Sequence, residues 1–182
     1  MNILQPNLLR LFATLAVLAS VTPVLANDLQ IGKSAPAAAL VTLDGKHIST
    51  QDLGGHTVIV TFWATWCEPC REELPILSSY AVAHRDQGLE VLGFSLDDED
   101  NLTQVRAMAK GLNFPVGLLN QSAAPGYGRI WRLPVSFVID RAGVLRYNGW
   151  KASKPAWTKT SLDSEVTPLL STPDNAATHP VH

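Results

Sequence analysis

With 182 residues, 46% of them hydrophobic, the chain can bury one ordinary core and reads as a single domain. A formal charge of −2 gives no electrostatic case for nucleic acid or an anionic membrane surface as partner. Two cysteines, placed at one site, exclude a disulfide-stapled scaffold.

The first element is a targeting segment. Arg10 and the amino terminus supply positive charge, Leu11 to Val21 is an unbroken apolar run, and Ala26 closes "VLA" before the polar Asn27. This is the layout of a secretory signal peptide over residues 1–26, cleaved near Ala26. The competing reading is an uncleaved membrane anchor. The run is short of the ~20 apolar residues that a spanning helix needs, and Pro23 interrupts its end. Either way residues 27–170 form the domain, in the periplasm or another extracytoplasmic compartment, and the protein meets the membrane only if the segment is retained.

"ALVTLDGKHIST" alternates around Asp44-Gly45 and predicts a hairpin, and Asp52 to Gly55 predicts a turn. "HTVIVTFWA" is rich in β-branched and aromatic residues and predicts an internal strand, with Trp63 in the core. A helix follows over about Glu68 to Arg85, with Leu74, Leu77 and Ala81 apolar and Pro75 as a kink; Gly88 ends it. "LEVLGFSLD" is a second buried strand. "DEDNLTQVRAMAKGL" becomes helical and closes at Gly111, and "FPVGLLN" is short and extended. "SAAPGYGRIWRL" is a broken helix or loop. "PVSFVID" and "VLRYNGW" pair as a hairpin across Arg141-Ala142-Gly143, and Lys154 to Leu170 is a weaker helix. The order β-α-β-α-β-β-α predicts an α/β sandwich with a mixed sheet. The polar, aperiodic residues 171–182 read as a disordered tail.

"TFWATWCEPCREELP" holds both cysteines, Cys67 and Cys70, between the first long strand and its helix. Three positions apart on a helix, the two thiols are neighbours and can close and open a disulfide. Unpaired N–H groups at the helix start favour a thiolate at Cys67, the more exposed sulfur, which attacks a substrate disulfide; Cys70 then resolves the mixed disulfide. Pro69 suits the first turn, where its missing N–H costs little. Glu68, between the thiols, raises the Cys67 pKa and so makes the couple more reducing. A structural staple closing so short a loop would constrain the unfolded chain very little. A metal site needs about four ligands, and no second CxxC or His pair is near: His47, His56 and His84 are scattered and read as solvated surface, with His179 and His182 in the tail. No metal and no cofactor beyond the Cys67–Cys70 disulfide is called for. Trp66 reads as a shield for the thiolate and an apolar contact for partners. Tyr127, Trp131 and Leu133 are candidates to border the same groove.

"VIVTFWATWCEPCREELP", with "VLGFSLDDE" and "YGRIWRLPVSFVIDRAGVLRYNGW", resembles the thioredoxin-like superfamily that includes the AhpC/TSA redoxins, specifically its TlpA/ResA-type thiol–disulfide oxidoreductases. The resemblance spans roughly Ile31 to Leu170 and implies a thioredoxin-like sandwich, a central mixed sheet with helices on both faces. It implies that Cys67 is the nucleophile and Cys70 the resolving thiol. It further implies that Pro134 is a cis-proline lying against the disulfide, so that the Leu133 backbone can pair with an extended substrate segment. Glu73 matches the acidic residue this subgroup carries after its CxxC, with the expected role of proton acceptor for Cys70. The chain departs from thioredoxins proper at Thr61, where they carry a buried Asp. Relatives with CEPC are mostly extracytoplasmic reductants of protein disulfides, in cytochrome c or oxidase copper-site maturation, recharged by a membrane electron donor. A monomer reducing such a substrate is the expectation. Two alternatives stay open on the same fold: a thiol peroxidase, whose Thr/Ser-x-x-Cys context "WATWCEPC" lacks, and a copper-site chaperone using both thiolates.

Overall fold

The computed structural model describes residues 29–170. The expected signal peptide or anchor (1–26) and tail (171–182) lie outside them. Seven strands are formed: β1 (Ala39–Val41), β2 (His47–Ser49), β3 (Thr57–Trp63), β4 (Leu89–Ser95), β5 (Val116–Leu118), β6 (Val135–Ile139) and β7 (Leu145–Asn148). The α-helices are α1 (Glu68–His84), α2 (Leu102–Ala109), α3 (Lys159–Glu165) and α4 (Thr167–Leu170). From β3 onward the expected order β-α-β-α-β-β-α is observed with one strand more, because the extended "FPVGLLN" pairs as β5 between α2 and β6.

β1 and β2 form the predicted hairpin, and the other five strands form one sheet in the order β5-β4-β3-β6-β7. β3 runs parallel to β4, and β4 to β5, whereas β6 is antiparallel to both β3 and β7. β3 is buried along its whole length because it is the middle strand, which explains its near-continuous apolar sequence. Its side chains alternate between two cores. Ile59 and Trp63 face α1, α3 and α4, while Val58, Val60 and Phe62 face the opposite side with Leu40, Tyr127 and Phe137. The first face is covered by α-helices. The second carries the β1–β2 hairpin and short 3-10 turns, such as Pro125–Tyr127.

α1 presents Cys70, Glu73, Leu74, Leu77, Ser78, Tyr80 and Ala81 to the first face, the i, i+3, i+4, i+7 stripe that a packed helix shows. Pro75 does not divide it, and the helix runs continuously to His84. The predicted carboxy-terminal helix is shorter than read: residues 152–158 are irregular, α3 starts only at Lys159, and α4 is separate. Thr158 caps α3 in a box with Ser161, which sets that later start. His56 and His84 are half-buried with unpartnered Nδ1 atoms rather than solvated, because His84 packs its ring against Tyr80 at 4.2 Å.

The hairpin sits so close to the sheet that Gly117 of β5 admits no side chain: a Cβ there would lie 1.9 Å from the Val41 carbonyl oxygen. Gly117→Ala is therefore expected to push the hairpin off the sheet and cost about 1–3 kcal/mol, read as a lowered denaturation midpoint. An unchanged midpoint would show that the hairpin is not held at that distance.

Candidate active site

β3 ends at Trp63 and α1 begins at Glu68 after four intervening residues, so the two cysteines sit where the central strand hands over to the helix. Cys67 is the N-cap residue: its backbone is extended, and its Sγ accepts the Cys70 N–H at 3.3 Å. Pro69 lies in the first turn, as expected. Cys67 and Cys70 are joined in a disulfide. Cys67 is 5% exposed and Cys70 0%, so only the first sulfur touches the surface.

The turn that presents Cys67 is held by a residue the sequence reading passed over. Asp97, buried just beyond β4, accepts the Thr65 N–H at 2.8 Å, the Thr65 hydroxyl at 2.6 Å and the Ser95 hydroxyl at 2.7 Å. Hydrogen bonds to a carboxylate are among the stronger ones in proteins. They fix the Ala64–Trp66 approach to the helix. In "DDED" nothing local separates Asp97 from its solvated neighbours; only its spacing of two from Ser95, on the same strand face, could have marked it.

Glu73 is buried, at 2% exposure, on the inward stripe of α1, one turn beyond Cys70. Its Oε2 accepts the Trp157 backbone N–H at 2.8 Å, and its Oε1 faces the Thr61 hydroxyl at 3.5 Å. Ser136 of β6 donates to Thr61 Oγ1 at 2.9 Å. The helix acid thus reaches the strand position where a buried Asp was missed in the sequence. Loss of solvation pushes the Glu73 pKa up to about 8, against the smaller opposing pull of Trp157 and Thr61. Trp157 is itself buried and packs on Tyr147 at 4.5 Å, closing the site from the loop before α3.

Glu68 is exposed and ion-paired with Arg71, whose guanidinium also reaches the Thr65 carbonyl. That pairing offsets much of the negative charge that Glu68 would bring to Cys67. The Leu133–Pro134 peptide bond is cis, and Pro134 is buried at the start of β6. A groove of about 370 Å³ opens beside Cys67. Trp66, Cys67, Glu68 and Pro69 form one wall, and Leu96 with Ile130 to Leu133 forms the rest. Trp66 and Trp131 stand 66% and 69% exposed at its edges. Leu133 and Trp131 are therefore where expected. Tyr127 is not: it is fully buried in the opposite core, its hydroxyl donating to the Pro36 carbonyl at 3.0 Å. Among the described residues no three His, Cys, Asp or Glu side chains group as metal ligands, and no helix is long and apolar enough to cross a membrane.

The AhpC/TSA family model matches residues 31–148. The chain belongs to the AhpC/TSA family, on a thioredoxin-like fold. It is 35% identical over 115 residues to thiol-disulfide oxidoreductase ResA of Bacillus thuringiensis, a match that covers 63% of this chain and 66% of that protein, just under two thirds of its length. It is 32% identical to the thioredoxin-like protein YneN of Bacillus subtilis over 139 residues, 74% of this chain and 81% of that one. A crystal structure of a thiol:disulfide interchange protein of the thioredoxin family from Chlorobium tepidum superposes with a TM-score of 0.64 at 30% identity, covering 78% of this chain and 98% of the other.

Burial of Glu73 has a consequence for stability. Below about pH 4.5 both folded and unfolded chains hold its proton. Between there and about pH 8 the unfolded chain releases the proton while the folded one keeps it. Stability therefore falls as pH rises through that window, by an amount of the order of a few kcal/mol. Denaturant midpoints measured at pH 5 and pH 8 are expected to drop more for the native sequence than for Glu73→Gln. Parallel profiles would show that the carboxyl is ionised throughout.

Proposed function

We propose that the protein is an extracytoplasmic thiol–disulfide oxidoreductase that reduces disulfides in partner proteins. The observation that carries the reading is the Cys67–Cys70 disulfide at the start of α1, with one sulfur at the surface beside an open groove and the other sealed inside. Its likeness to ResA and to a thiol:disulfide interchange protein supports the same chemistry.

In the reduced enzyme the Cys67 thiolate attacks one sulfur of a substrate disulfide. A new S–S bond forms to Cys67, the substrate bond breaks, and the first substrate thiolate leaves to take a proton from water. The mixed disulfide then needs Cys70 as a thiolate. Glu73, one turn away, takes the Cys70 proton, and Cys70 attacks Cys67 Sγ to release the second substrate thiolate, which takes a proton from water. Two electrons have passed to the substrate, and the enzyme is left with its disulfide and a protonated Glu73. Burial raises the Glu73 pKa to about 8, close to that of a thiol, so a proton can pass between Glu73 and Cys70 at little cost. Leu133, placed by the cis bond to Pro134 on the groove, offers its backbone to an extended substrate segment, and Trp66 offers an apolar contact.

The signal-peptide pattern supports a site of action outside the cytoplasm. There a membrane electron donor would return it to the dithiol, and cytochrome c or copper-site cysteines of an oxidase would be its substrates. The Cys67→Ser variant is expected to lose exchange altogether, while Cys70→Ser accumulates substrate-linked mixed disulfides, visible as reducible adducts on gels. Undiminished turnover by the Cys67 variant would end the redox reading. Direction is tested by the reduction potential of the domain, expected near about −270 mV as in thioredoxin. A value near about −120 mV, as in a strong periplasmic oxidant, would make the protein an oxidase of dithiols instead.

A further inference from the structure

The groove beside Cys67 has two unlike walls. On one, Trp131 is 69% exposed yet already ordered, its ring stacked on Trp150 at 5.5 Å and 12° between planes. The Arg132 guanidinium lies 5.4 Å from the Trp131 ring and 5.9 Å from that of Trp150, and it donates to the carbonyls of Gly149 and Ala152. Its partners are backbone oxygens and π faces, so the cation is fixed in place without a carboxylate to cancel it. Exposed Arg129 lies two residues from Trp131, and exposed Lys151 and Lys154 flank Ala152, to which Arg132 is bonded. None of these three takes an ion-pair partner among the described residues. The other wall is formed by Trp66, Cys67, Glu68 and Pro69, and there Glu68 is already paired with Arg71.

Resting on the reductase reading, we propose that this groove docks an extended segment of a partner protein that carries acidic residues on one flank of its reducible cysteine. The acidic flank lies against Trp131 and the Arg129–Arg132–Lys151–Lys154 cluster, while the cysteine reaches Cys67. Trp and Arg are the side chains that dominate protein docking energetics, and here they come pre-stacked, so little side-chain freedom is lost on binding. The Trp66–Pro69 wall offers no comparable free cation, since Arg71 is paired with Glu68, which makes the groove a reader of orientation as well as of charge. A nucleic acid carries no disulfide for Cys67 to exchange with, so an acidic protein segment is the fitting occupant.

The test uses the full chain in its reduced form and three disulfide-closed peptides of equal length, with Asp, Ser or Lys flanking the cysteines. Each rate constant is divided by that for bis(2-hydroxyethyl) disulfide, a small neutral disulfide that cannot sense the wall. At low ionic strength the Asp peptide is expected to react about tenfold faster than the Lys peptide, and the ratio should fall towards one in concentrated salt. The double variant Arg129→Glu/Lys154→Glu should abolish or invert the preference, and Trp131→Ala should slow all three peptides relative to the small disulfide. Equal peptide rates at low salt, a preference for Lys, or an Asp preference untouched by the double variant would overturn the docking proposal while leaving the reductase reading intact. If the small disulfide is not reduced either, the reductase reading itself has failed, and the docking proposal with it.

Discussion

One buried carboxyl group organises the chain around the disulfide. Taking Glu73 out of water is costly, and the cost is met by donors from distant parts of the sequence. Trp157 comes from the loop before α3, Thr61 from β3, and Ser136 from β6 behind it. These contacts bind helix, sheet and carboxy-terminal loop to one point beneath Cys70. The satisfaction is incomplete, since only one oxygen has a short partner, and burial outweighs the donors. A fully satisfied carboxylate would hold its charge and could not take a proton; a fully desolvated one could not give it up. The intermediate state leaves Glu73 with a pKa raised to about 8, the property that the proposed proton transfer uses.

A second carboxyl, Asp97, shows the contrasting case. It accepts three short hydrogen bonds and serves as an anchor for the turn before Cys67. Both acids are buried, yet their donors differ: Asp97 holds the backbone before Cys67 through short bonds, while Glu73 has one short donor and a raised pKa.

The order of strands and helices was legible because β3 and β4 are internal and carry unbroken β-branched and aromatic runs, and because α1 keeps one apolar stripe. The cysteines and the cis-proline were legible as a pattern, since CEPC and LPVSFVID survive as contiguous words. What failed to show was whatever depends on contacts between distant segments. Tyr127 sits in an aperiodic loop whose direction is decided by Pro36 and by rings of β3 and β6, so no local pattern could assign it to the core rather than the groove. Trp157 closes over Glu73 from a stretch that looks helical but is held open by the Thr158 cap. The burial of Glu73 could not be separated from the exposure of Glu72 by helical spacing, because the stripe boundary falls between them.

The electrostatic case for a reducing couple also changes place. From sequence it rested on Glu68, a bare negative charge between the thiols, but Arg71 pairs with that charge at the surface, where solvent screens what remains. Glu73 stays, and it acts differently. A group that holds a proton beside the closed disulfide must part with it when the thiols reform, or share it with Cys70. In the proposed cycle, reduction of the site is coupled to a buried proton rather than to a surface charge. In that cycle the potential of the pair changes its dependence on pH around the Glu73 pKa, and electron flow at Cys67 is tied to the same loop, strand and helix contacts that hold the fold together.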